Sequence, residues 1–218
     1  MPGGGRFITF EGGEGAGKST QMGRLAARLA RIGLEVVSTR EPGGSPLAES
    51  LRAFILSGRA RAWGPLGEAV LFSAARADHV DQLIAPALER GAWVTCDRFA
   101  DSTRAYQGAA GALDPALVED LQRVAVAGVT PDLTLLMDIA PEIGLARARA
   151  RRGALTADRF EGEGLAFHQA LRSAFLALAA REPDRFVVVD AAADVDTLEQ
   201  EIWRAVARRL RPAHTALV

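Results

Sequence analysis

The chain has 218 residues, of which 49% are hydrophobic and 24% are charged, and its formal net charge is −1. This composition is typical of a soluble globular protein with a filled core, and the near-zero charge excludes a global field that would recruit nucleic acid or an anionic membrane. The single cysteine excludes an internal disulfide framework, and without a signal core or a membrane-length apolar stretch the protein is expected in the cytoplasm.

Short apolar runs predict five buried β-strands, at residues 7–10, 35–39, 93–97, 133–137 and 186–189. They lack clean apolar–polar alternation, so both faces of the sheet are expected to be covered. Helical patterns lie between them at residues 19–32, 46–56, 66–90, 143–152, 165–181 and 195–210, and Asp114-Pro115 opens a further helix. This alternation predicts one α/β domain over residues 1–218, with three layers, a parallel sheet and ligands at the carboxyl ends of the strands.

A glycine-rich loop follows the first predicted strand and opens a helix. Residues 12–19, GGEGAGKS, match the phosphate-loop pattern G-x-x-x-x-G-K-[ST], which predicts a P-loop NTPase-type fold that binds ATP. Backbone N–H groups would cradle phosphate, Lys18 would reach the outer phosphates, and the Ser19 hydroxyl would bind Mg²⁺. The alternative is a glycine-rich turn with an exposed lysine. The predicted ATP-binding residues are Gly12, Gly13, Glu14, Gly15, Ala16, Gly17, Lys18, Ser19 and Thr20.

Three acidic or basic side chains extend this prediction. Glu14 lies inside the loop although phosphate repels a carboxylate, so we expect it to accept a hydrogen bond from another group, such as a sugar hydroxyl; a solvated acid is the alternative. Asp97 and Arg98 end the third strand, at the sheet edge where the loop also lies. Asp97 is placed to hold Mg²⁺ through water, and Arg98 to direct its donors between two anions; a strand-end ion pair is the alternative.

Three further segments stand out in the sequence: residues 39–44 (TREPGG), 71–76 (LFSAAR) and 97–108 (DRFADSTRAYQG). In this order, they resemble motifs of the bacterial thymidylate kinase family. Together with the phosphate loop and an arginine-rich segment near residue 150, the resemblance spans most of the chain. It implies that ATP and dTMP are the substrates, that the products are ADP and dTDP, that Mg²⁺ is required, and that the protein is a homodimer.

The resemblance implies a role for each residue around the thymine base. Phe72 would stack on the ring, Arg76 would hydrogen-bond a carbonyl, Thr103 would face the base, and Pro42 would lie beside it. Phe72 and Arg76 are four residues apart, so they share one helix face and can contact the ring face and the ring edge together. The alternatives are core packing for Phe72 and a solvated helix arginine for Arg76.

The same resemblance assigns the sugar and the phosphates. Tyr106 would crowd the sugar 2′ position and Gln107 would form part of the pocket wall, although a half-buried helix tyrosine is the alternative for Tyr106. Glu14 would contact the 3′-hydroxyl, and Arg98 would bridge the donor and acceptor phosphates. Arg52 is a candidate for the acceptor 5′-phosphate.

Residues 147–161 are predicted to form a lid, rich in arginine. An arginine in such a lid can neutralise charge on the transferring phosphoryl group, whereas a solvated basic face is the alternative. Because the phosphate loop contains no arginine, the resemblance implies a catalytic lid arginine, with Arg149 as first choice and Arg151 as second. Glu161 is expected near the metal or the sugar. The arginines of the segment are Arg147, Arg149, Arg151, Arg152 and Arg159.

The sequence leaves two other functions open. One keeps the chemistry but uses another nucleoside monophosphate or a deoxynucleoside as acceptor. The other is a nucleotide-dependent switch or assembly ATPase, against which the chain has no N-K-x-D guanine-reading motif. The three histidines show no ligand spacing and are expected to be structural or solvated; they are His79, His168 and His214.

Overall fold

A computed structural model of the chain describes residues 4–153, 160 and 162–212. Its sheet has the strand order β2-β3-β1-β4-β5, and every neighbouring pair is parallel. This confirms the predicted five-stranded parallel sheet, with strand ends that differ from the expected ones by no more than about one residue. The strands are β1 (Arg6–Glu11), β2 (Val36–Arg40), β3 (Trp93–Asp97), β4 (Leu133–Asp138) and β5 (Phe186–Asp190).

Helices cover both faces of this sheet. One pattern was wrong: the helix expected at residues 66–90 is interrupted by a π-helical turn, Val80–Ile84. Pro86 has no N–H to donate to the carbonyl four residues earlier, so the regular ladder breaks ahead of it. Within the described residues, no helix combines the length and the apolar character needed to cross a bilayer. The α-helices are α1 (Lys18–Arg31), α2 (Pro46–Leu56), α3 (Gly64–His79), α4 (Ala85–Glu89), α5 (Ala100–Thr103), α6 (Pro115–Val126), α7 (Pro141–Arg152), α8 (Leu165–Arg181) and α9 (Val195–Leu210).

Buried side chains on β1 explain the missing alternation in the strand sequences. Ile8 and Phe10 join one core cluster with Leu25 of α1 and Ile202 of α9. Phe7, which directly precedes Ile8, belongs to a second cluster that includes residues of α4 and β3. Since neighbouring residues of a strand face opposite sides, both faces of β1 are packed and must be apolar.

The strand order brings the functional motifs to one edge of the sheet. Phe10 of β1 lies opposite Asp97 of β3, and Asp97 in turn lies opposite Arg40 of β2. The phosphate loop, the Asp97–Arg98 pair and residues 39–44 therefore leave the sheet side by side. Carboxyl ends of parallel strands are where ligands bind in this class of fold.

Candidate active site

A cavity of about 360 Å³ opens at this edge, within the size range of small-molecule sites. Of the residues predicted for the site, Gly12 and Gly13 line a smaller cavity behind the phosphate loop instead. Arg149 is exposed and does not line the main cavity. The predicted residues that do line it are Glu14, Gly15, Ala16, Gly17, Lys18, Ser19, Thr20, Pro42, Arg52, Phe72, Arg76, Asp97, Arg98, Thr103, Tyr106, Gln107 and Arg151.

The phosphate loop requires glycine where the backbone is left-handed and crowded. Gly15 has a φ of 68°, and a Cβ there would lie 1.9 Å from the carbonyl oxygen of Gly144 in α7. Only a residue without a side chain can occupy that position. The loop ends at Gly17, with a φ of 84°, and α1 begins at the next residue, so its N-terminus faces the cavity.

The ammonium group of Lys18 lies against this loop. It donates to the carbonyl oxygens of Gly12, at 3.1 Å, and Gly13, at 2.8 Å. Burial, followed by the neighbouring Arg98 guanidinium, lowers the pKa of Lys18. A charged phosphate oxygen is a stronger acceptor than these neutral carbonyls, so the ammonium can exchange them for a bound phosphate.

The Ser19 hydroxyl and the Asp97 carboxylate meet beside the loop. Ser19 Oγ donates to Asp97 Oδ2 at 2.5 Å. Mg²⁺ prefers oxygen ligands and is usually bound by one or two protein groups, waters and substrate phosphates, which fits this pair. In the part of the chain that the structure describes, no cluster of three His, Cys, Asp or Glu side chains is available as an all-protein metal site.

Arg98, Glu14 and Tyr106 form one polar group at the centre of the cavity. Glu14 Oε1 accepts from Arg98 Nη2 at 2.7 Å and from the Tyr106 hydroxyl at 2.8 Å. Burial raises the pKa of Glu14, but Arg98, Lys18 and the Tyr106 hydroxyl together lower it to about 2. Glu14 is therefore ionised, and its carboxylate can also accept a hydrogen bond from a ligand hydroxyl.

Arg76 lies almost fully buried under the cavity and has few free donors. Its Nε donates to Glu41 Oε2 at 2.7 Å, its Nη1 to Thr103 Oγ1 at 3.1 Å and to Gln122 Oε1, and its Nη2 to the Phe99 carbonyl at 3.0 Å. Arginine has five N–H groups, so one Nη2 N–H remains for a ligand.

A buried chain of hydrogen bonds through Glu41, His79 and Thr39 supports Arg76 on the side chain's Nε. Glu41 Oε1 contacts His79 Nδ1 at 3.0 Å, and His79 Nε2 contacts Thr39 Oγ1 at 2.8 Å. His79 is thus structural, as expected, whereas His214 lies outside the described residues. The next peptide bond, Glu41–Pro42, is cis, which the sequence left undetermined. The carbonyl of Pro42 accepts from Arg52 Nη1 at 2.7 Å, so Arg52 reaches the cavity from α2.

Three aromatic side chains, Phe72, Tyr106 and Phe160, form an aromatic wall along one side of the cavity. The Phe72 and Phe160 rings lie 6.0 Å apart at 42°, and the Tyr106 and Phe160 rings lie 5.1 Å apart in an edge-on arrangement. Phe72 also lines the cavity and is only partly buried, so its ring has a face available to a flat ligand.

The comparisons with known proteins agree with this geometry. A profile described as thymidylate kinase matches residues 10–202. The chain belongs to the thymidylate kinase family. The thymidylate kinase of Bradyrhizobium diazoefficiens is 55% identical over 214 residues, which are 98% of this chain and 94% of that protein. That of Rhodopseudomonas palustris is 56% identical over 207 residues, 94% of this chain and 90% of the relative.

A solved structure extends the likeness to three dimensions. The crystal structure of thymidylate kinase from Ehrlichia chaffeensis matches this chain with a TM-score of 0.75 at 32% sequence identity, covering 93% of this chain and 99% of the other. The resemblance seen in the sequence and the predicted P-loop NTPase-type fold are therefore confirmed.

The first arginines of the segment predicted to form a lid lie on α7. The Arg147 side chain binds residues outside the main cavity: it donates to the Ala191 carbonyl at 2.7 Å and to the Ala192 carbonyl at 3.3 Å. Arg151 reaches the cavity lining, one turn further along the helix. Arg159 and Glu161 lie outside the described residues.

Several residues of the site were not assigned a role from the sequence. Glu41 and Gln122 hold Arg76, and Phe160 completes the aromatic wall, yet none of them was predicted. Glu41 lies within the TREPGG segment that resembles the thymidylate kinase family, so that segment could have drawn attention to it. Phe160 lies within residues 147–161, the segment predicted to form a lid. Gln122 lies 46 residues along the chain from Arg76 and gave no signal in the sequence.

Proposed function

We propose that this chain transfers the γ-phosphoryl group of ATP to the 5′-phosphate of dTMP, forming ADP and dTDP. The observation that carries the proposal is one cavity that joins a phosphate loop to an aromatic wall with a buried arginine. The first half suits the polyphosphate of ATP, and the second suits a flat neutral base. Arg98 and Asp97 lie between the two halves.

The donor half would hold ATP through the loop. Loop N–H groups and the N-terminus of α1 face the β- and γ-phosphates, and Lys18 exchanges its carbonyl partners for phosphate oxygens. Ser19, and Asp97 through water, would hold Mg²⁺. When bound, this ion supplies charge screening between the phosphates.

The acceptor half would select a thymine deoxynucleotide. Phe72 offers a ring face for stacking, and the remaining Nη2 N–H of Arg76 offers a donor for a base carbonyl. The ionised Glu14 accepts from the 3′-hydroxyl, while the Tyr106 ring occupies the space beside the 2′ carbon. Thr103, Gln107 and Pro42 complete the pocket.

Transfer then depends on position and charge. The acceptor phosphate is already an anion near neutral pH, so no general base is required. The Arg98 guanidinium spans Glu14 and the Gly12 carbonyl, between the two phosphate sites, and Arg52 extends the positive surface at the acceptor end. Of the two candidate lid arginines, Arg151 is favoured over Arg149 because it lines the cavity.

A substrate panel tests this function. ADP formation is measured with Mg²⁺, ATP and one acceptor at a time: dTMP, dUMP, AMP, CMP, GMP or thymidine. We expect kcat/KM for dTMP to exceed that for the purine monophosphates by at least about 100-fold, and Lys18→Met to abolish turnover. Preference for AMP or GMP would contradict the pocket assignment. ADP formation without any acceptor would favour the switch ATPase.

A homodimer is proposed from an exposed apolar patch on three neighbouring helices. Leu66 and Val70 lie four residues apart on α3, each 46% exposed, with Leu47 on α2 and Val124 on α6 also exposed. Both α2 and α6 pack against α3, so these side chains belong to one region of the surface. A two-fold axis through α3 would bury the same patch on both copies. The cytoplasmic location stays a prediction.

A further inference from the structure

Glu11 is a fully buried carboxylate that the proposed reaction leaves without a role. It ends β1 and directly precedes the phosphate loop, and it does not line the cavity. Its oxygens accept two hydrogen bonds, from the Phe99 backbone N–H at 2.7 Å and from the Ser102 hydroxyl at 2.6 Å. Glu11 therefore ties the base of the phosphate loop to the segment that follows β3.

Both hydrogen-bond partners of Glu11 are connected to Arg98. Phe99 is the next residue, so its N–H fixes the backbone that leaves Arg98, which has a φ of 72°. Such a left-handed conformation is uncommon for a residue other than glycine and needs support from its surroundings. Ser102 Oγ in turn accepts from Arg98 Nη1 at 3.3 Å, while the same Nη1 donates to the Gly12 carbonyl at 3.1 Å. Glu11 thus holds the peptide group that joins Arg98 to Phe99, and it holds the Arg98 side chain through Ser102.

A neutral side chain in place of Glu11 could link these two segments at a lower desolvation cost than a carboxylate. Burial, followed by the charge of Asp101, raises the pKa of Glu11 to about 7. Near pH 8 the carboxylate is still the main form, so it can accept both hydrogen bonds at once. An ionised group in a fully buried position is expensive, which indicates that the bonds it forms matter beyond packing.

We propose that Glu11 and Ser102 are positioning residues that hold Arg98 in the orientation needed to bridge the donor and acceptor phosphates. This inference rests on the proposed function. Both residues act through Arg98, so their loss should slow phosphoryl transfer more than it weakens the binding of either nucleotide. A displacement of a catalytic group by about 1 Å can reduce a rate by about 100-fold.

Steady-state kinetics near pH 8 with ATP, Mg²⁺ and dTMP test the inference on Ser102→Ala and Glu11→Gln. We expect kcat to fall about 10- to 100-fold in each variant, with both KM values within about threefold of wild type. Ser102→Thr, which keeps the hydroxyl, should retain at least about half of kcat. Thr9→Val is the matched control. Thr9 lies on β1 like Glu11, and the substitution removes a buried hydrogen bond between its hydroxyl and that of Thr134 on β4, so kcat should stay within about twofold of wild type.

A double-mutant cycle decides whether the effect runs through Arg98. In an Arg98→Ala background, adding Ser102→Ala should change kcat by less than about twofold, because the residue it positions is gone. An unchanged kcat in the single variants, a change in KM alone, or the full loss repeated in the Arg98→Ala background would overturn the inference. So would loss of folding in both single variants, which would assign the cluster to the scaffold. Absence of dTMP turnover in the wild-type chain would instead overturn the proposed function, and the inference with it.

Discussion

At the scale of single residues, recognition of the base would depend on the fixed position of the Arg76 guanidinium. Four of its five N–H groups are held by protein acceptors, so the guanidinium is fixed in place and one N–H on Nη2 is left for a ligand in the cavity that Arg76 lines. A fixed donor favours a base with a carbonyl at that edge and opposes an amino group there, because two donors cannot pair. The pocket should thus distinguish thymine from cytosine by one hydrogen bond.

Replacing Arg76 with methionine should remove this donor and leave the buried Glu41 carboxylate without its cationic partner. We expect kcat/KM for dTMP to fall at least about 100-fold, and the free energy of unfolding to fall by about 3 to 5 kcal/mol. Enzyme kinetics and urea denaturation measure the two effects. In the matched control Arg123→Met, the lost ion pair to Asp120 is exposed, so stability should change by less than about 1 kcal/mol. Wild-type selectivity in Arg76→Met would contradict the assigned role.

Glu11 should make the stability of the protein depend on pH near neutrality. Its pKa is about 7 in the folded chain and 4.5 for an ordinary glutamate, so the folded state binds the proton more tightly. This contribution to stability is fully present below pH 4.5 and is lost as the pH rises through 7. Between pH 5 and pH 8, wild type should lose about 2 to 3 kcal/mol of unfolding free energy relative to Glu11→Gln. Parallel urea titrations of both proteins measure the difference, and identical pH slopes would show that the carboxyl titrates normally.

At the scale of elements, α7 is anchored to the phosphate loop by a close backbone contact. Gly144 of α7 lies so near the loop that a Cβ there would be 2.3 Å from the Glu14 carbonyl oxygen. The Arg147 side chain further ties α7 to the residues after β5. The first half of α7, up to Arg147, is therefore held against the phosphate loop and against the residues that follow β5.

Adding one methyl group at Gly144 should displace the loop. For Gly144→Ala we expect kcat/KM for ATP to fall about 10- to 100-fold, because the phosphate-binding N–H groups shift with the loop. Gly23→Ala is the control: Gly23 lies within α1 with no atom near its added Cβ, so stability should rise by about 0.5 to 1 kcal/mol and activity should be kept. Kinetics and thermal melting measure both. Normal ATP kinetics in Gly144→Ala would show that the loop can yield.

The elements differ in how far the sequence predicts them. The strands and the phosphate loop could be predicted because each is specified by a local pattern: a buried apolar run, or glycines at fixed spacing. For the π-helical segment Val80–Ile84 the local signal is Pro86, which marks a break in the helix but not its π-helical form. The π-helical segment Arg104–Ala110 has no such local signal, because an extra residue in a turn depends on what packs around it. The partners of Arg76 were missed for the same reason, since Gln122 reaches it from a helix 46 residues away.

At the scale of the whole molecule, the sheet order assembles the site from distant segments. β3 lies between β2 and β1, so residues 39–44 and the phosphate loop flank the Asp97–Arg98 pair. The family and the fold were predictable from these motifs in order, and the comparisons confirm both. The residue roles, the homodimer and the extent of one domain over residues 1–218 stay predictions, because each depends on contacts that a sequence does not specify.

The proposed dimer predicts an effect for a charge placed in its centre. Val70→Asp should convert the dimer to a monomer, because pairing would bury an unpaired carboxylate on both copies. Size-exclusion chromatography with light scattering measures the mass. Val195→Asp is the matched control, since Val195 is equally exposed, at 46%, but lies on α9, which packs on α1 and β5. A wild-type monomer, or a dimer that survives Val70→Asp, would exclude this interface.

The position of Lys18 has a practical consequence for chemical labelling. It is the only lysine in the chain, and its amine is covered by the phosphate loop. Fluorophore esters or immobilisation resins that acylate amines should therefore react with Lys18 much more slowly than with an exposed amine, and should leave the active site intact. Slow inactivation by the same esters, prevented by ATP, would report directly on how often the loop uncovers its lysine.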